Sequence, residues 1–336
     1  MHGYQEEKRI VREYFKALEE ASPENVEGVM KRFMSPEYNW KGVYPFREMQ
    51  GMSTVAEKFW APLKKALSNM QRRQDIFIGG TNELGGEKWV MSMGHFMGLF
   101  DTDWLGIRKT RKMTSLRYAE FNCVENGKIT KTGIFLDILG FMHQAGVSPL
   151  AVQTGAYFVY PGPRDHNGLL FDDAPEEEGI KTLELVNRMV DDLTELDESG
   201  SMGCPPEVLR KCWSEDMIWY GPCGIGASYT IPRYQEQHQL PFRGGLSGKT
   251  FNGHVCRFAE GNFACFFGWP NLTNCPIGGF LGLPGGRIPA EMQVVDVYYR
   301  KEDKLSENWV LIDIPYWLSQ QGLDILERTN QICNPK

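Results

Sequence analysis

Two stretches of this chain repeat each other, and no other feature limits its folding as tightly. VMKRFMSPEYNW, ending at Trp40, aligns without gaps on VLRKCWSEDMIW, ending at Trp219, at an offset of 179 residues. Further on, GKITKTGIFLDI aligns on DKLSENWVLIDI at an offset of 176, which sets Asp137 against Asp313. Between these anchors Gly94-His95 meets Gly268-Trp269, Leu105-Gly106-Ile107 meets Leu281-Gly282-Leu283, and Glu120 meets Asp296. Several coincidences in one order mean two copies of one domain, and 336 residues agree with that number. The copies are expected at 1–146 and 180–336. A loop-rich connector at 147–179 carries the Pro-, Gly- and Glu-rich run YPGPRDHNGLLFDDAPEEEG.

Within the first copy, Ile10, Tyr14 and Leu18 share one face of a helix over 6–20. Ser22-Pro23-Glu24 opens a second helix with Ser22 as its N-cap, and a third covers 53–68 with an interruption at Pro62. Strands follow at 74–79, 88–98, 112–124 and 128–137. Helices segregated from an antiparallel sheet give an α+β fold rather than a doubly wound one.

The last two strands form a hairpin about Asn126-Gly127, a pair suited to a type I′ turn because both central residues need positive φ. A two-residue loop makes facing positions sum to 253. Glu120 is then set against Gly133, Asn122 against Lys131, Tyr118 against Phe135 and Leu116 against Asp137, all on one face. Two carboxylates on a partly apolar face are expensive unless something pairs or uses them. A strand rise puts Glu120 and Asp137 roughly 13 Å apart, too far to share a proton.

The net charge of −7 argues against a nucleic-acid or anionic-membrane partner, both of which need a basic patch. The N-terminal MHGYQEEKRIVREYF lacks the apolar core of a signal peptide, and no apolar run reaches the roughly 18 residues of a membrane span. The eight cysteines show no zinc-ligand spacing and read as buried thiols of a cytoplasmic protein. No phosphate loop, nucleophile elbow or dinucleotide fingerprint occurs. No cofactor and no metal are expected.

The Trp40-Lys-Gly turn, the Gly94-His95 strand, the Leu105-Gly106-Ile107 step, the Gly127-Lys128-Ile129 turn and Asp137 before Gln144-Ala-Gly146 resemble the SnoaL-like domain. That domain is the polyketide-cyclase branch of the nuclear-transport-factor-2-like superfamily. Trp219-Tyr-Gly, Leu281-Gly282-Leu283, Asp313 and Gln320-Gln321-Gly322 repeat the pattern. The resemblance implies two tandem cone-shaped α+β barrels, each with N-terminal helices on a curved antiparallel sheet around an apolar pocket. It also implies an intrachain pseudo-dimer, with further homo-oligomerisation left open. Known members are cofactor-free cyclases, isomerases, dehydratases, epoxide hydrolases and binding modules, so the fold does not fix the function. The acid/base aspartate of the characterised cyclases falls near Ile134 and Val310, neither of which transfers a proton; Asp137 and Asp313 match a different family aspartate.

The leading expectation is a cofactor-independent acid/base enzyme for a small apolar carbonyl or polycyclic substrate, with the first pocket at work. His95 and Glu120 would exchange the proton, with Asp137 orienting them or serving as base. The bland alternatives are a pocket-wall histidine, a Glu120–Lys131 salt bridge, and an aspartate that accepts hydrogen bonds from a loop. Trp40, Trp60 and Tyr118 would wall the first pocket, and Trp219, His254, Trp269, Asp296 and Asp313 the second. Arg72-Arg73 reads as a solvated pair. The rival function is a non-catalytic binding protein for a small hydrophobic metabolite.

Overall fold

In the computed structural model, which describes residues 3–201 and 203–334, the chain divides into two units. The first comprises residues up to Pro149, Arg164–Asp173 and the tail from Asp324. The second comprises Leu150–Pro163 and Ala174–Leu323. The stretch expected to be a connector is therefore shared out. Gly155 and Ala156 pair with Ile225 and Ala227 in the second unit, while Leu169 bridges Phe77 and Asp173 binds Lys8 in the first.

The first unit opens with helix α1 (Gln5–Glu20), which buries Ile10, Val11, Tyr14, Phe15 and Leu18 along one stripe. Ser22 makes no side-chain cap. Pro23–Asn25 form a 3-10 turn, and helix α2 (Val26–Phe33) starts after it. Strands β1 (Met34–Gly42) and β2 (Glu48–Gln50) follow, then α3 (Met52–Val55), a π turn (Ala56–Trp60) and α4 (Ala61–Ala66). Pro62 does not break this helix. The π turn carries the Ala61 N–H to the Ala56 carbonyl and rephases the ladder just where proline has no donor to give. Strands β3 (Leu67–Thr81), β4 (Lys88–Phe100), β5 (Met113–Glu125) and β6 (Lys128–Leu136), and helix α5 (Ile138–Gln144), complete the repeat. The sheet order is β2-β1-β6-β5-β4-β3, antiparallel except for the β1–β6 pair.

The second unit repeats this plan. Helices α6 (Glu176–Glu198) and α7 (Pro206–Arg210) precede β7 (Trp213–Tyr220) and β8 (Ala227–Tyr229). Then come α8 (Thr230–Tyr234), a second π turn (Gln235–Gln239) and α9 (Leu240–Gly245), again with a proline, Pro241, just past the turn. The equivalent of β3 is split into β9 (Leu246–Phe251) and β10 (Cys256–Glu260). After them run β11 (Phe263–Pro276), β12 (Ala290–Lys301), β13 (Lys304–Ile312) and α10 (Ile314–Gln320). Both units are thus the expected α+β cones. The last helix, α11 (Ile325–Cys333), belongs to the first unit rather than the second; the Tyr44 hydroxyl donates to Asp324 at its N-cap, and Asn330 packs against Gly106.

The hairpin turn has positive φ at Asn126 and Gly127, as a type I′ turn requires. The expected register nevertheless holds only next to the turn. Val124 pairs with Ile129, but Cys123 pairs with Lys131, so Thr130 is the extra residue of a β-bulge. Beyond it every partner moves by one: Glu120 is opposite Ile134, Asn122 opposite Thr132 and Tyr118 opposite Leu136. The second copy carries the same bulge at Ser306 and sets Asp296 against Val310. Lys131 therefore leaves the Glu120 face and binds Glu87 at 3.1 Å, which removes the Glu120–Lys131 bridge.

Asp137 and Asp313 are helix caps. The Asp137 carboxylate accepts from the Gly140 N–H (2.8 Å) at the start of α5, and Asp313 accepts from the Tyr316 N–H (3.2 Å) at the start of α10. Both are buried. Replacing either with alanine should cost at least about 1 kcal/mol in denaturant unfolding, as for other lost N-caps, and leave turnover per folded molecule unchanged.

Candidate functional site

The interior face of the first sheet is where Glu120 points, and Arg72 occupies the space beside it. Arg72 comes from β3, in register with Phe96, and its guanidinium meets Glu120 at 2.8 Å with both side chains buried. The guanidinium carbon lies 3.6 Å from the centre of the Phe15 ring, 4.8 Å from those of Phe96 and Tyr118, and 5.8 Å from that of Trp60. Burial works against the Arg72 charge, but Glu120 and Tyr118 outweigh it and raise its pKa. Arg72 is thus no solvated residue; only Arg73 is exposed. Trp60 and Tyr118 serve as walls of this cationic cage, and Trp40 packs against Phe46 and Phe59. Asn122 donates to Glu120 (3.2 Å) and accepts from Thr132 (2.7 Å).

His95 does not join this group. Its cross-strand partner is Arg117, whereas Glu120 pairs with Ser92. Side chains three positions apart on β4 point to opposite faces, so His95 and Glu120 cannot pass a proton directly. His95 lies 3.3 Å from Asp75, the extra residue of a bulge between Gln74 and Ile76.

The second unit uses the same positions differently. By register Phe251 stands where the first unit has Arg72, since each opposes the residue matching Phe96 on its neighbour strand. Phe266 replaces Ser92 opposite the carboxylate. Among the described residues no guanidinium lines this space, and a cavity of about 210 Å³ remains. Its walls come from α6 (Met189, Leu193), β7 (Trp213, Trp219), the π turn (His238) and the sheet (Phe266, Val294, Asp296, Tyr298, Asn308, Val310).

Asp296 is half-buried and lies in this wall. Burial lifts its carboxyl to about 6, opposed by hydrogen bonds from Asn308 Nδ2 (3.2 Å) and the Tyr298 hydroxyl (3.1 Å). Both donors converge on Oδ1; among the described residues Oδ2 accepts no hydrogen bond. Two imidazoles share the cavity. His238 stacks on Trp219 at 3.9 Å, and burial lowers it to about 3. His254 stacks on Phe266 at 3.9 Å and is also lowered to about 3, by burial and then by Arg257, with Asn271 opposing. A carboxyl raised to about 6 in a cavity shared with neutral imidazoles can take and return a proton near neutral pH.

Of the expected wall residues, Trp219, His254 and Asp296 line this cavity. Asp313 caps its helix instead, and Trp269 sits half-buried where β11 loses register between Gly268 and Leu272. His238, Tyr298 and Asn308 were not expected. The signal for His238 lay in the repeat: at the 179-residue offset it replaces Phe59, a polar residue at a core position. Tyr298 and Asn308 match Asn122 and Thr132 at the other offset. Among the described residues no cluster of His, Cys, Asp and Glu could hold a metal ion, and no helix is long and apolar enough to cross a membrane.

No protein-family model and no curated protein matches the chain. Solved structures match it one unit at a time. An NTF2-like protein of Burkholderia xenovorans LB400 is 12% identical over 43% of this chain and 97% of its own, with a TM-score of 0.33. IdmH of Streptomyces antibioticus, provisionally a polyketide cyclase, is 18% identical over 40% of this chain and 96% of its own, with a TM-score of 0.31. An LEH-like epoxide hydrolase of M. tuberculosis is 12% identical over 47% and 99%, with a TM-score of 0.31.

Proposed function

We propose that the second unit is a cofactor-independent acid/base enzyme acting on a small, largely apolar carbonyl compound, with Asp296 as the proton carrier. The observation that carries this reading is the place of the Asp296 carboxyl in the wall of a mostly apolar cavity with, among the described residues, no cation paired to it; burial there raises it to about 6. The expected site is thereby moved from the first pocket to the second. A volume of about 210 Å³ exceeds the roughly 150 Å³ that accommodates benzene and falls below the usual range for drug-sized ligands. One or two rings fit better than a polycyclic skeleton.

The ionised form of Asp296 takes a proton from the carbon next to the carbonyl, and the resulting acid returns it. Deuterium uptake from D2O into the methyl group of acetophenone, read by mass spectrometry, tests this step. Exchange should rise with pH through about 6 and then level off, because His238 and His254 titrate near 3 and stay neutral throughout. Tight binding of acetophenone and of two-ring ketones without exchange anywhere between pH 5 and 9 would favour the binding-protein reading instead.

A further inference from the structure

We propose that His254 is a second catalytic residue of this pocket: a neutral imidazole, locked by Arg257 as its Nε2–H tautomer, that donates to the substrate's carbonyl oxygen. The inference rests on the acid/base reading of Asp296 and adds the group that receives the electron pair. Arg257 Nε lies 3.1 Å and Nη2 2.8 Å from His254 Nδ1. A guanidinium can only donate, so Nδ1 must be the acceptor and the ring proton must sit on Nε2. Arg257 is itself held by Asn187, which accepts from Nη1 at 2.9 Å.

The sheet register brings this donor beside the carboxylate. Arg257, Phe266 and Asp296 are successive cross-strand partners on β10, β11 and β12. The His254 ring stacks on the Phe266 face, so His254 and Asp296 flank the same aromatic ring within one cavity. Asn271 lines the same cavity, and its side-chain oxygen, itself an acceptor, lies near enough to the His254 ring to oppose the lowering of its pKa; a substrate carbonyl oxygen would take its place at the Nε2 proton.

The step balances without a co-reactant. As Asp296 accepts the α-proton, the C–H electron pair becomes the carbon–carbon double bond of an enolate, and the carbonyl π pair moves onto oxygen. His254 stabilises that oxygen by a hydrogen bond and keeps its proton. Asp296 then returns its proton to carbon, at the same atom or another. A neutral imidazole suits this role because the second proton of an imidazolium would have to displace Arg257 from Nδ1.

Long-range proton–nitrogen NMR of the ring and the carbonyl stretch of bound ¹³C-carbonyl acetophenone test the assignment in the full chain. His254 should show the Nε2–H tautomer from pH 5 to 8, and Arg257→Met should let the Nδ1–H form appear while Arg257→Lys restores the original. The carbonyl stretch should be lowered in the wild type and in Asp296→Asn alike, and return to its apolar-solvent value in His254→Phe, with exchange falling about a hundredfold. A lowered stretch that persists in His254→Phe, or that disappears in Asp296→Asn, overturns the role of His254 while leaving the pocket intact. No binding of acetophenone to the wild type would overturn both readings together.

Discussion

Asp296→Asn should abolish proton exchange and at the same time make the protein more stable at pH 7. Both effects come from one cause. In the folded chain burial raises the Asp296 carboxyl from its ordinary 3.8 to about 6, so folding takes up a proton between those values. Stability from this group is therefore fully present below about pH 4 and is lost as pH rises through 6; above that it costs on the order of 2–3 kcal/mol. Asparagine keeps an oxygen to accept from Tyr298 and Asn308 and removes the charge. The variant should match the wild type at pH 4 and exceed it by that amount at pH 7–8 in denaturant unfolding. His238 and His254 act with the opposite sign: their contribution is present above their ordinary 6.5 and is lost as pH falls towards 3. That loss is common to both proteins and cancels in the difference. A variant less stable than the wild type at pH 7 would mean that Asp296 is structural.

Arg72→Met should have the largest effect on stability, and it should act on the first unit without touching the chemistry. The substitution leaves Glu120 with no exposed surface and, among the described residues, no cation and one donor, Asn122. Breaking one side of a buried ion pair costs about 3–5 kcal/mol, because the orphaned charge stays desolvated. Amide exchange in β3, β4 and β5 should accelerate accordingly. The double variant Arg72→Met/Glu120→Leu should recover most of the loss, since replacing a whole buried pair by apolar groups is often neutral, and the cycle would then show strong coupling. Exchange at Asp296 should survive in both. Loss of activity from a still-folded double variant would return the reaction to the first unit.

The fold was legible because repeated motifs fix order, and order fixes strand sequence. Asn126-Gly127 located the hairpin and its turn type. The partners beyond Cys123 were not legible, because one bulged residue at Thr130 moves every later pair and nothing in KITKTG marks it. The same single step moved Lys131 away from Glu120. The true partner, Arg72, is 48 residues away in sequence and reaches Glu120 only because β4 lies between β3 and β5. Its burial is a tertiary fact; on its own, Arg72-Arg73 looks like any charged strand start. For His95 the deciding fact was the register between β4 and β5, which the sequence does not carry: it sets His95 opposite Arg117, on the face away from Glu120. Helix α11 was misassigned because its contacts with Tyr44 and Gly106 span more than 200 residues.

The two copies thus diverge by what surrounds one acidic position. In the first, a longer carboxylate is matched by a guanidinium. In the second, Phe251 and Phe266 replace Arg72 and Ser92, the carboxylate keeps no cation, and space remains beside it. Charge pairing and proton transfer are competing uses of a buried carboxyl; the first unit shows the pairing, and proton transfer is the use proposed for the second. The most direct measurement is a carboxyl-carbon NMR titration of Asp296 in the full-length wild type. An apparent pKa near 6, absent from the Asp296→Asn spectrum, is the expected result; titration at or below the ordinary aspartate range near 4 would contradict the account.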